Sequence, residues 1–130
     1  MNENQLRKAL KGVKVCASDN LPKNARFVIA NTDPSHLPGT HWVCMHFPRR
    51  GFAEYFDSTG RHPPPAFERY LTARSSKYKR NDRRVQDYGT DTCGEYCIYY
   101  VTKRRNGWSF EKILDNFSRD LSMNEMLVLE

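Results

Sequence analysis

His41-Trp42-Val43-Cys44-Met45-His46-Phe47, Pro48-Arg49-Arg50-Gly51 and Phe52-Ala53-Glu54-Tyr55-Phe56-Asp57 follow one another and read as a β-hairpin. The outer stretches are rich in aromatic and apolar residues. Pro48 to Gly51 are turn formers, with Gly51 suited to the left-handed position. A turn centred on Arg49 sets His41 opposite Asp57, on one face with Val43, Met45, Phe47, Ala53 and Tyr55. Directly opposed side chains have Cβ atoms about 5 Å apart, within reach of an imidazole–carboxylate hydrogen bond. Glu54 falls on the other face and is the poorer partner. A slip of one residue in this register would separate the pair.

Outward from the hairpin, residues 26–30 (Arg-Phe-Val-Ile-Ala) predict a buried strand, and residues 31–39 a loop. Residues 5–10 predict a short helix on Leu6 and Leu10, and residues 16–24 a turn region. Beyond the hairpin, Ser58-Thr59-Gly60 is a turn, and His62-Pro63-Pro64-Pro65 a stiff connector into a short helix over 66–73. The stretch 74–84 is basic and reads as exposed, and 83–86 as a further strand. Cys93, Tyr96, Cys97, Tyr100 and Val101 recur at helical spacing, so 93–105 is a helix, ended by Asn106-Gly107. Ser109 caps one last helix with an apolar stripe of Phe110, Ile113, Leu114, Phe117 and Leu121. A hairpin with helices and no βαβ unit gives the class α+β: a small mixed or antiparallel sheet packed against helices.

The 130 residues suit a single domain, 1–130, and 38% of them are hydrophobic, enough for a core. No apolar run approaches the ~18 residues of a membrane helix. Met1 to Gln5 lack the apolar stretch of a signal peptide, so an intracellular, unsecreted monomer is expected. Four scattered cysteines do not read as a disulfide scaffold. The net charge of +6 permits attraction to nucleic acid or acidic partners.

Cys93 stands where a loop enters a helix. Unpaired amides and the helix dipole favour an anion there, and the thiolate is the reactive form of cysteine. Gly94 leaves room beside the sulfur for a substrate backbone. His41 is then the candidate base, with Asp57 fixing its tautomer. The Gln86 carboxamide, seven residues before Cys93, is a candidate oxyanion donor together with the Cys93 amide. Asp87 is a poorer choice, because a carboxylate repels an oxyanion.

His41-Trp42, Phe56-Asp57, Gln86 and Cys93-Gly94, in that order, resemble the adenain/Ulp1-type cysteine proteases. Val28-Ile29-Ala30-Asn31-Thr32 before Gly39-Thr40-His41-Trp42-Val43, and the second cysteine at Cys97, are similar to adenain in particular. The resemblance covers residues 26–100. It implies the papain-like fold of that group, with His41 as base, Asp57 as acid, Gln86 as oxyanion donor and Cys93 as nucleophile. Trp42 and Gly94 would lie against the substrate. It further implies cleavage after glycine in viral-type precursor polyproteins, as in capsid maturation, with the host nucleus and virion as places of work. No cofactor is required for the chemistry, and DNA or a viral peptide is the conceivable activator. Asp57 departs from the Glu of adenovirus enzymes. No cysteine lies between Cys44 and Cys93, so a disulfide tether to a peptide activator is not carried over.

Two other readings stand beside this one. A deconjugase of SUMO or ubiquitin-like modifiers would use the same chemistry on a folded substrate. An inactive basic module would bind nucleic acid through Lys77, Lys79, Arg80, Arg83 and Arg84. Cys16, Cys44 and Cys97 read as structural. Cys44, His46, Cys93 and Cys97 lack usual zinc spacing, and no metal is assigned.

Overall fold

The computed structural model describes residues 1–33, 35–36 and 41–129. In chain order the elements are α1 (Glu3–Ala9), β1 (Lys14–Cys16), β2 (Phe27–Asn31), β3 (Trp42–His46), β4 (Ala53–Phe56), α2 (Pro65–Arg74), β5 (Tyr78–Arg80), α3 (Cys93–Arg105), α4 (Phe110–Asp115) and α5 (Leu121–Leu129). The strands form one sheet in the order β1-β2-β3-β4-β5. Its centre, β2-β3-β4, is antiparallel. Both outer pairings, β1-β2 and β4-β5, are parallel.

The β4-α2-β5 crossover corrects the expectation of a chain without βαβ units. β5 lies in the stretch read as wholly exposed, and β1 begins just before the stretch read as turns. Three-residue strands carry too little periodicity to be recognised alone. Residues 83–86 form no strand; they pass close to β4's end as irregular chain. The single C-terminal helix is two. Asn116 caps α4, and Asp120 Oδ1 accepts from the Ser122 amide at the start of α5, so local polar side chains break the run. Of the expected 31–39 loop, Gly39 lies outside the described residues, as does Thr40.

Both faces of the sheet are covered, which is why β3 is apolar almost throughout and buried at every residue. On one face Trp42, Cys44 and Phe56 pack against α3, α1 and α4 through Tyr96, Tyr100, Leu6 and Ile113. On the other, Val43, Met45, Ala53 and Tyr55 pack against Phe67 and Leu71 of α2. The face assignment of the hairpin is as the alternation predicts. Its register differs by two: Cys44 pairs with Phe56, Met45 with Tyr55 and His46 with Glu54. A shift of two preserves every side chain's face.

Glu54, on the α3 side, is buried in a polar cluster. It receives Arg104 Nε and Nη2, both at 3.0 Å, and the Tyr100 hydroxyl, and His46 Nδ1 lies 3.0 Å away. Arg104 thereby ties the end of α3 to the centre of the sheet.

Gly60, at φ 73°, lets the turn after β4 press against residues 83 and 84; a Cβ there would lie 2.5 Å from the Arg83 carbonyl carbon. Gly60→Ala should cost roughly 2–4 kcal/mol, combining left-handed strain with a clash against backbone. Urea unfolding measures it, and a loss below 1 kcal/mol, on the order of the left-handed term alone, would show that the turn yields.

Candidate active site

Three chain segments converge at the end of the hairpin. His41 stands immediately before β3, and its carbonyl accepts from the Thr32 amide at 3.0 Å. Asp57 stands immediately after β4. His41 Nε2 lies 2.8 Å from Asp57 Oδ1. The shifted register places the two diagonally rather than opposite, and both have left the ladder, so the turn after β4 supplies the final geometry. Thr59 donates to Asp57 Oδ1 through its amide at 2.8 Å and its hydroxyl at 2.7 Å. Asn81 brackets the Asp57 backbone, accepting from its amide at 3.0 Å and donating to its carbonyl.

Cys93 opens α3. Its Sγ accepts from the Trp42 amide at 3.4 Å, and His41 and the Gly94 amide favour its ionised form. With Nε2 given to Asp57, the His41 nitrogen facing the sulfur is Nδ1. Thr92, the N-cap, makes no side-chain cap bond, so the first amides of α3 keep their partial positive charge beside the sulfur.

The electrostatics follow from this arrangement. Burial raises a thiol's pKa, but the His41 hydrogen bond, the Trp42 and Gly94 amides and the His41 charge outweigh it and bring Cys93 below its ordinary value. Burial would lower His41, yet hydrogen bonds to Asp57 and Cys93 and their charges raise it to about 9. Burial also opposes ionisation of Asp57, and His41 and Thr59 hold it below its ordinary value despite that. The arrangement thus biases Cys93 toward the thiolate and His41 toward the imidazolium, braced by a carboxylate. Burial pushes Cys44 and Cys97 the other way, and Cys16 up to about 11, so they remain thiols.

Gln86 is buried within the same turn system. Its Oε1 accepts from Ser58 Oγ at 2.6 Å, and its Nε2 donates to the Thr90 carbonyl and hydroxyl, each at 3.1 Å. The carboxamide is thus held between Ser58 and Thr90. Asp87 accepts from the Tyr88 amide. The Met1 side chain lies over Gly94, and the Met1 carbonyl accepts from Trp42 Nε1 at 3.0 Å. Among the described residues no cluster of three His, Cys, Asp or Glu side chains suits a metal ion.

Each cation of the basic stretch has an internal partner. Lys77 sits over the Phe52 ring, Lys79 pairs with Glu111 and Arg80 binds the Asn81 carbonyl. Arg83 donates to the Leu114 and Phe117 carbonyls, and Arg84 to that of Gln86 while lying over Tyr88. These bonds account for Arg83 and Arg84 as braces of the chain entering the site. Nothing in the structure supports nucleic-acid binding by these five residues.

The sequence reading missed α5. Glu125 Oε1 accepts from the Thr92 hydroxyl at 2.7 Å, and Oε2 from the Tyr96 hydroxyl at 2.5 Å and the Asp87 amide at 3.2 Å. Asn124 Nδ2 donates to the Val85 carbonyl at 2.9 Å. Together they clamp the loop from Gln86 to Cys93. A glutamate on a short, polar-flanked helix gives no local signal of this. Glu125→Ala should lower kcat about 10- to 100-fold with KM little changed, since a small displacement of reacting groups costs on that order. Glu125→Gln, which keeps an acceptor, should recover part of the loss; peptide kinetics on both variants decide.

The fold is that of a solved cysteine protease of African swine fever virus. In particular, the chain is 26% identical over 114 residues to the cysteine protease S273R of African swine fever virus, covering 78% of this chain and 42% of that protein. One crystal structure of the African swine fever virus pS273R protease, with selenomethionine, matches at a TM-score of 0.59 and 25% identity, over 80% of this chain and 43% of that one. Another structure of that protease matches at a TM-score of 0.61 and 19% identity, over 95% and 62%. The chain spans about two fifths of the curated relative's length. No family model matches.

Proposed function

We propose that this chain is a cysteine endopeptidase domain that cleaves after glycine in viral-type precursor proteins. The observation that carries the chemistry is His41, set between Asp57 at 2.8 Å and the sulfur of Cys93. Similarity to a protease named as a cysteine protease supports it. The Cys93 thiolate attacks the scissile carbonyl, and His41 delivers its proton to the leaving amine. Water, deprotonated by His41, then hydrolyses the thioester. The Cys93 amide meets the oxyanion, and Gln86 joins it by turning one N–H away from Thr90. Cleavage after glycine is carried over from the resemblance of His41-Trp42 and Cys93-Gly94 to adenain-type proteases. Among the described residues no helix is long and apolar enough to cross a membrane. Work in the infected cell or virion accords with the viral relative.

The test is a panel of glycine-containing peptides beside a ubiquitin-like fusion ending in Gly-Gly, with wild type and Cys93→Ala. Peptide cleavage that depends on Cys93 is the expected result. Cleavage of the fusion alone would turn the reading to a deconjugase, and no cleavage with slow alkylation of Cys93 would overturn the enzyme.

A further inference from the structure

Asp57 and Ser58 are neighbours in the chain, and their side chains serve different halves of the site. The Asp57 carboxylate meets His41. Ser58 meets the chain that carries Gln86. Its Oγ donates to Gln86 Oε1 at 2.6 Å, and its carbonyl accepts from the Val85 and Gln86 amides at 2.9 and 3.0 Å. Asn81 adds a second stitch one residue earlier, between the Asp57 backbone and the Arg83 carbonyl. Ser58 and Gln86 are both buried, at 1% and 4% exposure, so water is not at hand to replace a lost partner.

The orientation of the Gln86 carboxamide follows from its neighbours. Turned end for end, it would set its oxygen against the Thr90 carbonyl, and two acceptors repel. The Thr90 carbonyl therefore requires the N–H₂ end, with Nε2 at 3.1 Å. Oε1 is left toward Ser58, whose hydroxyl is its one hydrogen-bond donor among the described residues. The consequence concerns the oxyanion. An oxygen aimed at the developing negative charge would oppose it, whereas an N–H stabilises it. With Oε1 pinned, the carboxamide can release an N–H from Thr90 without offering its oxygen in exchange.

We propose that Ser58 is a positioning residue for oxyanion stabilisation: it pins the oxygen end of the Gln86 carboxamide, so that only N–H groups turn toward the oxyanion. It touches no reacting atom and acts through Gln86. The inference rests on the reading of Gln86 as an oxyanion donor. It also gives the turn after β4 a double duty, since the residue beside the brace of His41 sets the donor on the other half of the site.

The test is a double-mutant cycle of Ser58→Ala and Gln86→Ala, followed by kcat and KM on a glycine-containing peptide. Iodoacetamide alkylation of Cys93 is measured in parallel. Alkylation passes through no oxyanion, so it reports the Cys93–His41–Asp57 arrangement alone, and the fraction of Cys93 that reacts normalises kcat for any misfolded protein. Gln86→Ala should lower kcat about 10²- to 10³-fold, the usual loss of one oxyanion donor. Ser58→Ala should lower it about 10- to 100-fold, with KM and the alkylation rate little changed, because the donor is loosened rather than removed. In the Gln86→Ala background Ser58→Ala should cost nothing further, as befits a residue acting through the other. Ser58→Thr, which keeps the hydroxyl, should recover part of the loss. A Ser58→Ala kcat equal to wild type, a loss that adds in full to that of Gln86→Ala, or alkylation slowed by the same factor as kcat would each overturn the proposal; the last would place the effect on Asp57 and His41. A Gln86→Ala kcat equal to wild type would overturn the oxyanion reading of Gln86 and this inference with it.

Discussion

Cys93→Ala should abolish peptide cleavage, and His41→Ala should lower kcat about 10²- to 10⁴-fold, the usual yield of a positioned acid–base. The second variant says more about mechanism. His41 is what outweighs burial in bringing the Cys93 thiol below its ordinary value of 9.0. Without it the thiol returns to that value or above, so a smaller fraction is thiolate at pH 7 and iodoacetamide labelling should slow. The wild-type pH profile follows from the same two groups. Below the lowered Cys93 pKa the sulfur is protonated, so kcat/KM should rise with pH through that value. It should then fall as pH passes about 9, where His41 loses the proton that the leaving amine requires. A profile that keeps rising beyond pH 9 would show a neutral thiol–imidazole pair at rest and overturn the ion-pair assignment.

Glu54→Ala should be the most destabilising single change away from the site, at about 3–5 kcal/mol. It strips a carboxylate from a cluster in which Arg104 is largely buried and donates to it twice. The guanidinium would be left in the interior with its charge unanswered. For a domain of this size the melting temperature should drop by about 10–20 °C. The pH dependence has a definite sign. Burial raises Glu54, but His46, Tyr100 and Arg104 outweigh it and lower its pKa in the folded state. Its contribution is therefore present above the unfolded value near 4.3 and is lost as pH falls through the lower folded value. Acid should destabilise wild type relative to Glu54→Ala across that window. Thermal melts at pH 7 and pH 3 measure both effects; a change of under 1 kcal/mol, the usual size for an exposed ion pair, would show that water already screens this one.

The candidate site was legible in the sequence to an uneven degree. Cys93 to Arg105 carries its own periodicity and stop signal, and the helix has those bounds. The hairpin's alternation placed Val43 and Met45 on one face and Glu54 on the other, as the two core clusters require. His41 and Asp57 do meet, although the assumed register was two residues out, because a slip of two keeps every face. The β1 and β5 strands were not legible. They are three residues long, and they are strands only because β2 and β4 offer them an edge.

Local pattern was enough for whatever depends on neighbours along the chain: helix faces, strand alternation, turns at Gly51 and Gly60, and a cysteine at a helix start. Those features arise from backbone sterics and from apolar spacing, both written into short windows of sequence. Tertiary structure decided the rest, where the partner is remote. Glu125 reaches back to Thr92, Tyr96 and Asp87; Arg104 crosses to Glu54; and the Gln86 amide is held by Thr90. A polar side chain carries no periodic signal, and burial alone, which only the assembled fold confers, determines whether it is a solvated surface group or a brace of the site.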